Sequence, residues 1–388
     1  MVTEASGGPL SGIRVVELAG IGPAPHCGML LADLGAEVIR VDRPAGGALA
    51  LSPAGDIAGR GKRSVIIDLK DKRGLAVARR LVSAADILIE GYRPGVAERF
   101  GLGPDACWEV NPRLVYGRMT GWGQEGPLAP AAGHDIGYIA ITGALHAIGT
   151  AGQPPQIPVN YLGDYGGGSM FLAFGVVSAL LSARRTGHGQ VVDAAIVDGA
   201  ASLQAGTFGL LATGAWRDER GVNLLDGGAP YYSVYATSDG RHMAVGALER
   251  QFYARFTELL FAPEPVPGDL PGQHDRDRWP ELRAVIAARF ASRTREEWTA
   301  VFEGTDACVS PVLSMTEAAR HPHLAARGTY VTSGGVLQPA PAPRFSSGPL
   351  APGRIPRPGE HTREVLAELG IPDADTLLSD GVAISPET

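Results

Sequence analysis

A histidine and a carboxylate set among glycines are the residues of this chain best suited to chemistry. His134 stands in Gly133-His134-Asp135-Ile136-Gly137-Tyr138, and Asp164 in Gly163-Asp164-Tyr165-Gly166-Gly167-Gly168-Ser169. Helix or strand packing asks for neither. With reference pKa values of about 6.5 and about 3.9, an imidazole and a carboxylate can trade one shared proton. Such a pair suits work on opposite sides of one carbon atom, one group removing a proton and the other returning one. Each residue also has an ordinary reading: a core histidine bonded to backbone, and an aspartate capping the apolar helix that follows.

The elements that must position them follow from periodicity. Short apolar runs at 13–18, 37–41, 64–69, 86–90 and 114–118 read as buried strands, and a helical pattern lies between the first two. A further helix is predicted over 72–84. Strands alternating with helices imply a parallel sheet with helices on its faces, an α/β architecture. Gly20-x-Gly22 after the first strand partly fits a dinucleotide fingerprint, but Pro25 stands where the third glycine belongs.

An apolar helix is predicted from Met170 to about Arg184, core residues at 191–197, and another helix over 200–216. The character then changes. Tyr231–Ala236 alternates like a half-exposed strand, Thr237-Ser238-Asp239-Gly240 is a hairpin turn, and 241–245 returns. With helices predicted at 249–260, 279–291 and 294–303, this segment reads as a smaller α+β domain. The proline-rich stretch 339–358 reads as extended, and 360–370 as a short helix stopped by glycine.

Composition narrows the class. The chain has 388 residues, 45% of them hydrophobic, enough to bury a sizeable core and to form two domains. A net charge of −7 argues against a nucleic-acid partner or an anionic membrane surface. Cys27, Cys107 and Cys308 form no CxxC, and the N-terminus carries no secretory pattern, so a reducing, cytoplasmic setting is expected. The longest apolar run, 170–183, is shorter than a typical membrane span. His321-Pro322-His323 lacks a third ligand, so no metal site is expected.

Several segments resemble the class III CoA-transferase (CaiB/BaiF) superfamily. They are LSGIRVVELAGIGPAPHCGMLLADLGAEVIRVDRP, GRGKRSVIIDLK, EGYRPGV, RMTGWGQEGP, GHDIGY, GDYGGGSMF, GQVVDAAIVDG, LLDGGAPYY and AVGALERQFY, with TDACVSPVL, PAPRFS and GEHTREVLAELGI beyond residue 300. GHDI, with histidine before aspartate, is similar to the branch that racemises α-methylacyl-CoA; ordinary transferases generally lack that histidine. Gly137 departs from the asparagine usual there.

The resemblance implies a large Rossmann-like CoA-binding domain (1–192 with 337–388), linkers at 193–234 and 309–336, and a small α+β domain (235–308). It further implies an interlocked homodimer with its active site between subunits. Its expected activity is interconversion of R and S 2-methylacyl-CoA thioesters through an enolate. His134 and Asp164 would be acid and base, and Glu249 would accept a hydrogen bond from the second nitrogen of His134. The bland alternative for Glu249 is a solvated first-turn glutamate. Backbone N–H groups at the start of the apolar helix, among Gly166–Gly168, are expected to hold the enolate oxygen.

No prosthetic group is expected, since the CoA moiety arrives with the substrate. By resemblance, Arg43 contacts its nucleotide; Ile67, Asp68, Leu69 and Lys70, and then Gly91, Tyr92 and Arg93, line its path. Gly133, Asp135, Ile136, Gly137 and Tyr138 line the pantetheine and thioester end. Arg99, Lys62 and Arg63 complete an expected basic patch. The competing activity is CoA transfer, with Asp164 attacking the thioester to form an acyl anhydride.

Overall fold

A computed structural model describes residues 7–44 and 55–386. Contacts divide the chain into two compact units. One holds the residues up to Thr142, Val159–Leu203 and everything from His323 onward; the other holds Gly143–Pro158 and Gln204–Pro322. The segments expected as linkers therefore carry structure of their own. Residues 193–203 belong to the first unit, 204–234 and 309–322 to the second, and 323–336 again to the first.

The first unit is built on β1 (Arg14–Leu18), α1 (Pro23–Asp33), β2 (Glu37–Asp42), β3 (Arg63–Ile67), α2 (Lys72–Ser83), β4 (Ile87–Glu90), α3 (Val96–Arg99), α4 (Pro104–Trp108) and β5 (Val115–Thr120). Next come α5 (Asp135–Ile141), a π-helix (Tyr161–Ser169), α6 (Met170–Thr186), β6 (Val191–Ala195) and α7 (Ile196–Ser202). The strands lie in the order β3-β2-β1-β4-β5-β6, all parallel, with a short C-terminal strand, Ala383–Ile384, antiparallel on the β3 edge. Val15, Val16, Ile87, Leu88 and Ile89 are each fully buried, as expected of central strands covered on both faces.

This strand order reverses direction between β1 and β4. The crevice beyond their carboxyl ends is where open α/β sheets bind ligands. The Gly20–Pro23 turn follows β1 and the Gly91–Arg93 turn follows β4. Local chemistry supports each element. Pro23 opens α1 at a position that needs no N–H donor. Asp71 caps α2 by accepting from Arg73 N, and Gly187 ends α6 in the left-handed conformation at φ 79.

The helix expected from Met170 begins earlier. Tyr161–Thr186 is one helical run of 26 residues, long and apolar enough to cross a bilayer by length and composition alone. Leu172, Val176, Ala179, Leu180 and Ala183 are nevertheless buried, packed in the core cluster beside the sheet. The predicted helix over 200–216 divides into α7 and α8 (Ala205–Ala212).

The second unit contains α8 and an antiparallel sheet, β7 (Tyr232–Ala236), β8 (His242–Gly246) and β9 (Val309–Pro311). Beside the sheet lie α9 (Arg250–Phe261), α10 (Trp279–Phe290) and α11 (Arg295–Phe302), whose start is a capping box between Thr294 and Glu297. Its core is aromatic: Phe256, Phe290 and Trp298 are fully buried, with Phe302 at 2% exposure. The strand β9 is too short to show in the sequence as a periodic run.

Candidate active site

Asp164 lies on the π-helix, four residues after Asn160, whose Nδ2 donates to its Oδ2 at 3.2 Å. π-helices are rare and occur mostly as short stretches at functional sites. Here the π turn is held from both sides. A Cβ on Gly167 would stand 2.7 Å from Ala200 N, and one on Gly199 would collide with the Gly167 carbonyl, so the π-helix and α7 meet backbone to backbone. On the other side, His26 of α1 stacks on Tyr165 with ring centroids 4.6 Å apart, and its Nδ1 lies 2.7 Å from Ser169 Oγ. Burial, with the charges of Lys62 and Arg60, lowers His26 to a pKa of about 4, so its imidazole is neutral near pH 7.

The loop after β1 abuts the same carboxylate. Gly22 has φ 69, and a Cβ there would lie 3.3 Å from Asp164 Oδ2. The lost third glycine of the dinucleotide fingerprint is thus Pro25, the third residue of α1, and the loop before that helix is shaped around a carboxylate.

His134 is the residue before α5, extended at φ −137 and ψ 168, and its side chain caps nothing and is exposed. The next residue, Asp135, is 8% exposed; its Oδ1 accepts the Asp164 N–H at 2.7 Å, and its Oδ2 has no partner. Burial raises the Asp164 carboxyl above its ordinary pKa. The Asn160 hydrogen bond opposes this, the Asp135 charge adds to it, and the His134 charge lowers it. His134, Asp135 and Asp164 therefore form one electrostatic unit.

Two expectations change here. Gly166–Gly168 do not precede a helix start but lie inside the helical run, where interior N–H groups are used by the helix itself. Unpaired donors belong instead to the first turn of α5, where the N–H groups of Asp135 and Ile136 fall before the first intrahelical bond. The Asp135 carboxylate, expected to line the thioester end, is turned to the Asp164 backbone.

The expected CoA residues separate into free and engaged groups. Arg43 is exposed after β2, its guanidinium 5.4 Å from the Tyr92 ring centroid. Gly91, Arg93, Lys70 and Arg99 are exposed, and Arg93 is near enough to Tyr138 to lower its hydroxyl pKa against burial. Gly137 has open space around it, and Ile136 is 44% exposed.

Ile67 is buried at 1% in the core, Leu69 packs against that core, and Asp68 Oδ1 accepts Lys70 N within the turn. Tyr138 is buried edge-on to Trp122, and a Cβ on Gly133 would meet its ring at 2.6 Å, so Gly133 is small for packing. Lys62 is fully buried, bonded to Glu17 and to the Pro25 carbonyl. Arg63 stands at the start of β3, held by Glu37, Glu364 and Glu368. Neither is a free cation at the carboxyl edge of the sheet. Glu249 lies in the second unit, exposed, at the residue before α9, and caps no N–H of that helix.

Asn160, His26 and Ser169 escaped sequence reasoning. Ser169 closes the glycine motif and Asn160 lies just before it, but the His26–Ser169 contact spans 143 positions of sequence and Asn160 is turned to Asp164 only by the π turn.

Residues 10–362 match CoA-transferase family III. The chain is 45% identical over 372 residues to α-methylacyl-CoA racemase of Mus musculus, covering 95% of each. It is 47% identical over 365 residues to α-methylacyl-CoA racemase of Homo sapiens, covering 93% of each. A crystal structure of a CaiB/BaiF family protein from Brucella suis aligns with TM-score 0.81 at 28% identity, covering 94% of this chain and 100% of that one.

Proposed function

The chain belongs to CoA-transferase family III, and we infer that it is an α-methylacyl-CoA racemase, an isomerase acting on acyl-CoA thioesters. The observation that supports the proposed mechanism is the linkage of His134-Asp135 to Asp164, in which the Asp135 carboxylate accepts the Asp164 N–H and the His134 charge acts on the Asp164 carboxyl.

Inversion at the α-carbon of a 2-methylacyl thioester requires removal of a weakly acidic C–H proton from one face and delivery to the other. The thioester carbonyl takes up the charge as an enolate. In the proposed cycle, one epimer loses its proton to His134 and receives one from Asp164; the other epimer reverses the roles. A carboxyl raised by burial suits both tasks, being a stronger base than ordinary aspartate and more readily held protonated. The first-turn N–H groups of α5 are the proposed donors to the enolate oxygen, a contact typically worth about 3–4 kcal/mol.

At the other end of the substrate, Arg43, with Lys70, Arg93 and Arg99 exposed nearby in sequence to the strand ends, is proposed to meet the phosphates of CoA. No prosthetic group enters the scheme.

A homodimer is part of the proposal. Met170, Phe174 and Leu181 of α6 are 53%, 77% and 64% exposed, and α8 has no buried residue. A second copy covering these apolar surfaces would also bring Glu249 of the partner subunit behind His134, where a carboxylate would orient the imidazole.

The test is deuterium incorporation at the α-carbon of a simple 2-methylacyl-CoA in heavy water. Both epimers should exchange and converge on one mixture, and His134→Ala or Asp164→Asn should stop inversion. Undiminished inversion in both variants defeats the two-residue mechanism. Trapping of Asp164 by hydroxylamine during CoA transfer to a carboxylate would identify a transferase instead.

A further inference from the structure

Beneath the Gly91–Arg93 turn lies a buried ion pair with no part in the acid–base chemistry. Glu90, the last residue of β4, is 1% exposed, and Arg118, its register partner on β5, is 8% exposed. Arg118 Nε donates to Glu90 Oε1 at 3.0 Å, and its Nη2 donates to Glu98 Oε1 of α3 at 2.7 Å. The remaining oxygen, Glu90 Oε2, accepts the backbone N–H of Tyr92 at 2.6 Å. One carboxylate thus bridges a neighbouring strand and the turn leaving its own.

Tyr92 carries the connection outward. Its ring is 9% exposed, lies 6.1 Å from Phe100, and sits under the Arg43 guanidinium, 5.4 Å from the ring centroid. Arg118, Glu90, Tyr92 and Arg43 form a continuous series from the interior to an exposed cation at the switch point of the sheet. A buried ion pair is weak support for stability, because desolvation consumes most of its Coulomb energy and apolar replacements are often as stable. Its effect here is geometric: it sets where the turn after β4 points.

We propose that Glu90 and Arg118 are positioning residues for binding of the CoA moiety, fixing Tyr92 and through it the Arg43 guanidinium. This rests on the reading that the substrate is an acyl-CoA thioester held by Arg43. The pair touches no substrate atom; it acts on the anionic end of CoA and leaves the α-carbon chemistry alone.

The experiment compares a 2-methylacyl-CoA with the same acyl group on pantetheine, which lacks the nucleotide and its phosphates. Arg118→Met and Glu90→Gln should raise KM for the CoA thioester by about tenfold, the scale of one charge-assisted contact, while kcat stays within about twofold. Turnover of the pantetheine thioester should match the unmodified enzyme. Because Arg118→Met leaves a buried carboxylate unpaired, the double variant Glu90→Gln/Arg118→Met and the separate Tyr92→Leu are assayed alongside; both should show the same KM shift.

Equal losses on both thioesters, or loss in kcat without KM, would reduce the pair to a structural role and overturn the proposal. Arg43→Ala is the reference. If it leaves KM for the CoA thioester unchanged, the assignment of Arg43 fails. If Arg43→Ala raises KM and the other variants do not, the positioning role fails alone.

Discussion

The carboxylate of Asp135 accepts the backbone N–H of Asp164 at 2.7 Å. This one contact ties the residue following the candidate imidazole to the candidate carboxylate across 29 positions of sequence. It also explains two small residues. A Cβ on Gly163 would collide with Asp135 Oδ1, and one on Gly22 would press on Asp164 Oδ2. The backbone carrying the carboxylate is thus tied to the residue next to the imidazole by one side chain, that of Asp135.

Removing that contact should cost rate more than binding. Asp135→Ala leaves the Asp164 N–H unpaired in a partly buried place, a penalty of up to about 1–3 kcal/mol that the π-helix can relieve by shifting. The expected outcome is a fall in kcat of about tenfold or more with KM within about twofold, since the CoA end is untouched. Steady-state kinetics on each epimer measures it, and an unchanged kcat would remove Asp135 from the machinery.

The pH profile should respond in opposite directions to two neighbours. Asp164 must be ionised to act as base, so the rate on the epimer it deprotonates falls as pH drops through its pKa. Burial raises that pKa, the Asn160 hydrogen bond lowers it, and the Asp135 charge raises it. Asn160→Ala removes a lowering influence and should move the acidic limb of kcat/KM to higher pH. Asp135→Asn removes a raising influence and should move the limb to lower pH. Shifts of the same sign would mean that the limb belongs to another group.

Much of the first unit was legible because parallel strands buried on both faces leave unbroken apolar runs. Their five positions agree with β1 to β5 within two residues at each end. His134 and Asp164 stood out for being polar residues amid glycines. The π-helix was not legible: Gly166-Gly167-Gly168 reads as a break, and only the backbone-to-backbone packing on α7 makes helix tolerable there. Nor could charge alone separate Lys62, buried against Glu17, from Arg43, exposed after β2. That difference depends on which end of a strand a residue occupies and what faces it across the core.

The apolar face of α6 should govern assembly. Phe174 and Leu181, two turns apart, are 77% and 64% exposed. Placing a charge at either position would bury it against a second copy without a partner, at a cost of several kcal/mol. Phe174→Asp and Leu181→Asp should therefore shift the sedimentation profile from dimer to monomer and lose racemisation together. A monomeric sedimentation profile for the unmodified protein would refute the proposed homodimer.

Lys62 should matter for stability and not for CoA. Its ammonium and the Glu17 carboxylate have no solvent exposure, lie 2.5 Å apart, and the lysine also bonds the Pro25 carbonyl inside α1. Burial raises the Glu17 pKa, with Lys62 opposing the rise. A Cβ on Gly28 would collide with Glu17 Oε2, so the helix is cut to fit the pair. Lys62→Met strands a buried carboxylate and should destabilise by about 3–5 kcal/mol. The sign with pH follows. The stranded carboxyl, raised further once its cation is gone, favours the protonated fold, so the deficit should be largest at neutral pH and shrink as pH falls toward the unfolded value. Glu17→Gln/Lys62→Met removes both charges and should recover most of the loss. Denaturant titrations at two pH values measure this, and KM for the CoA thioester should stay at the unmodified value in the double variant. A large KM increase there would return Lys62 to the phosphate site that its sequence neighbours first suggested.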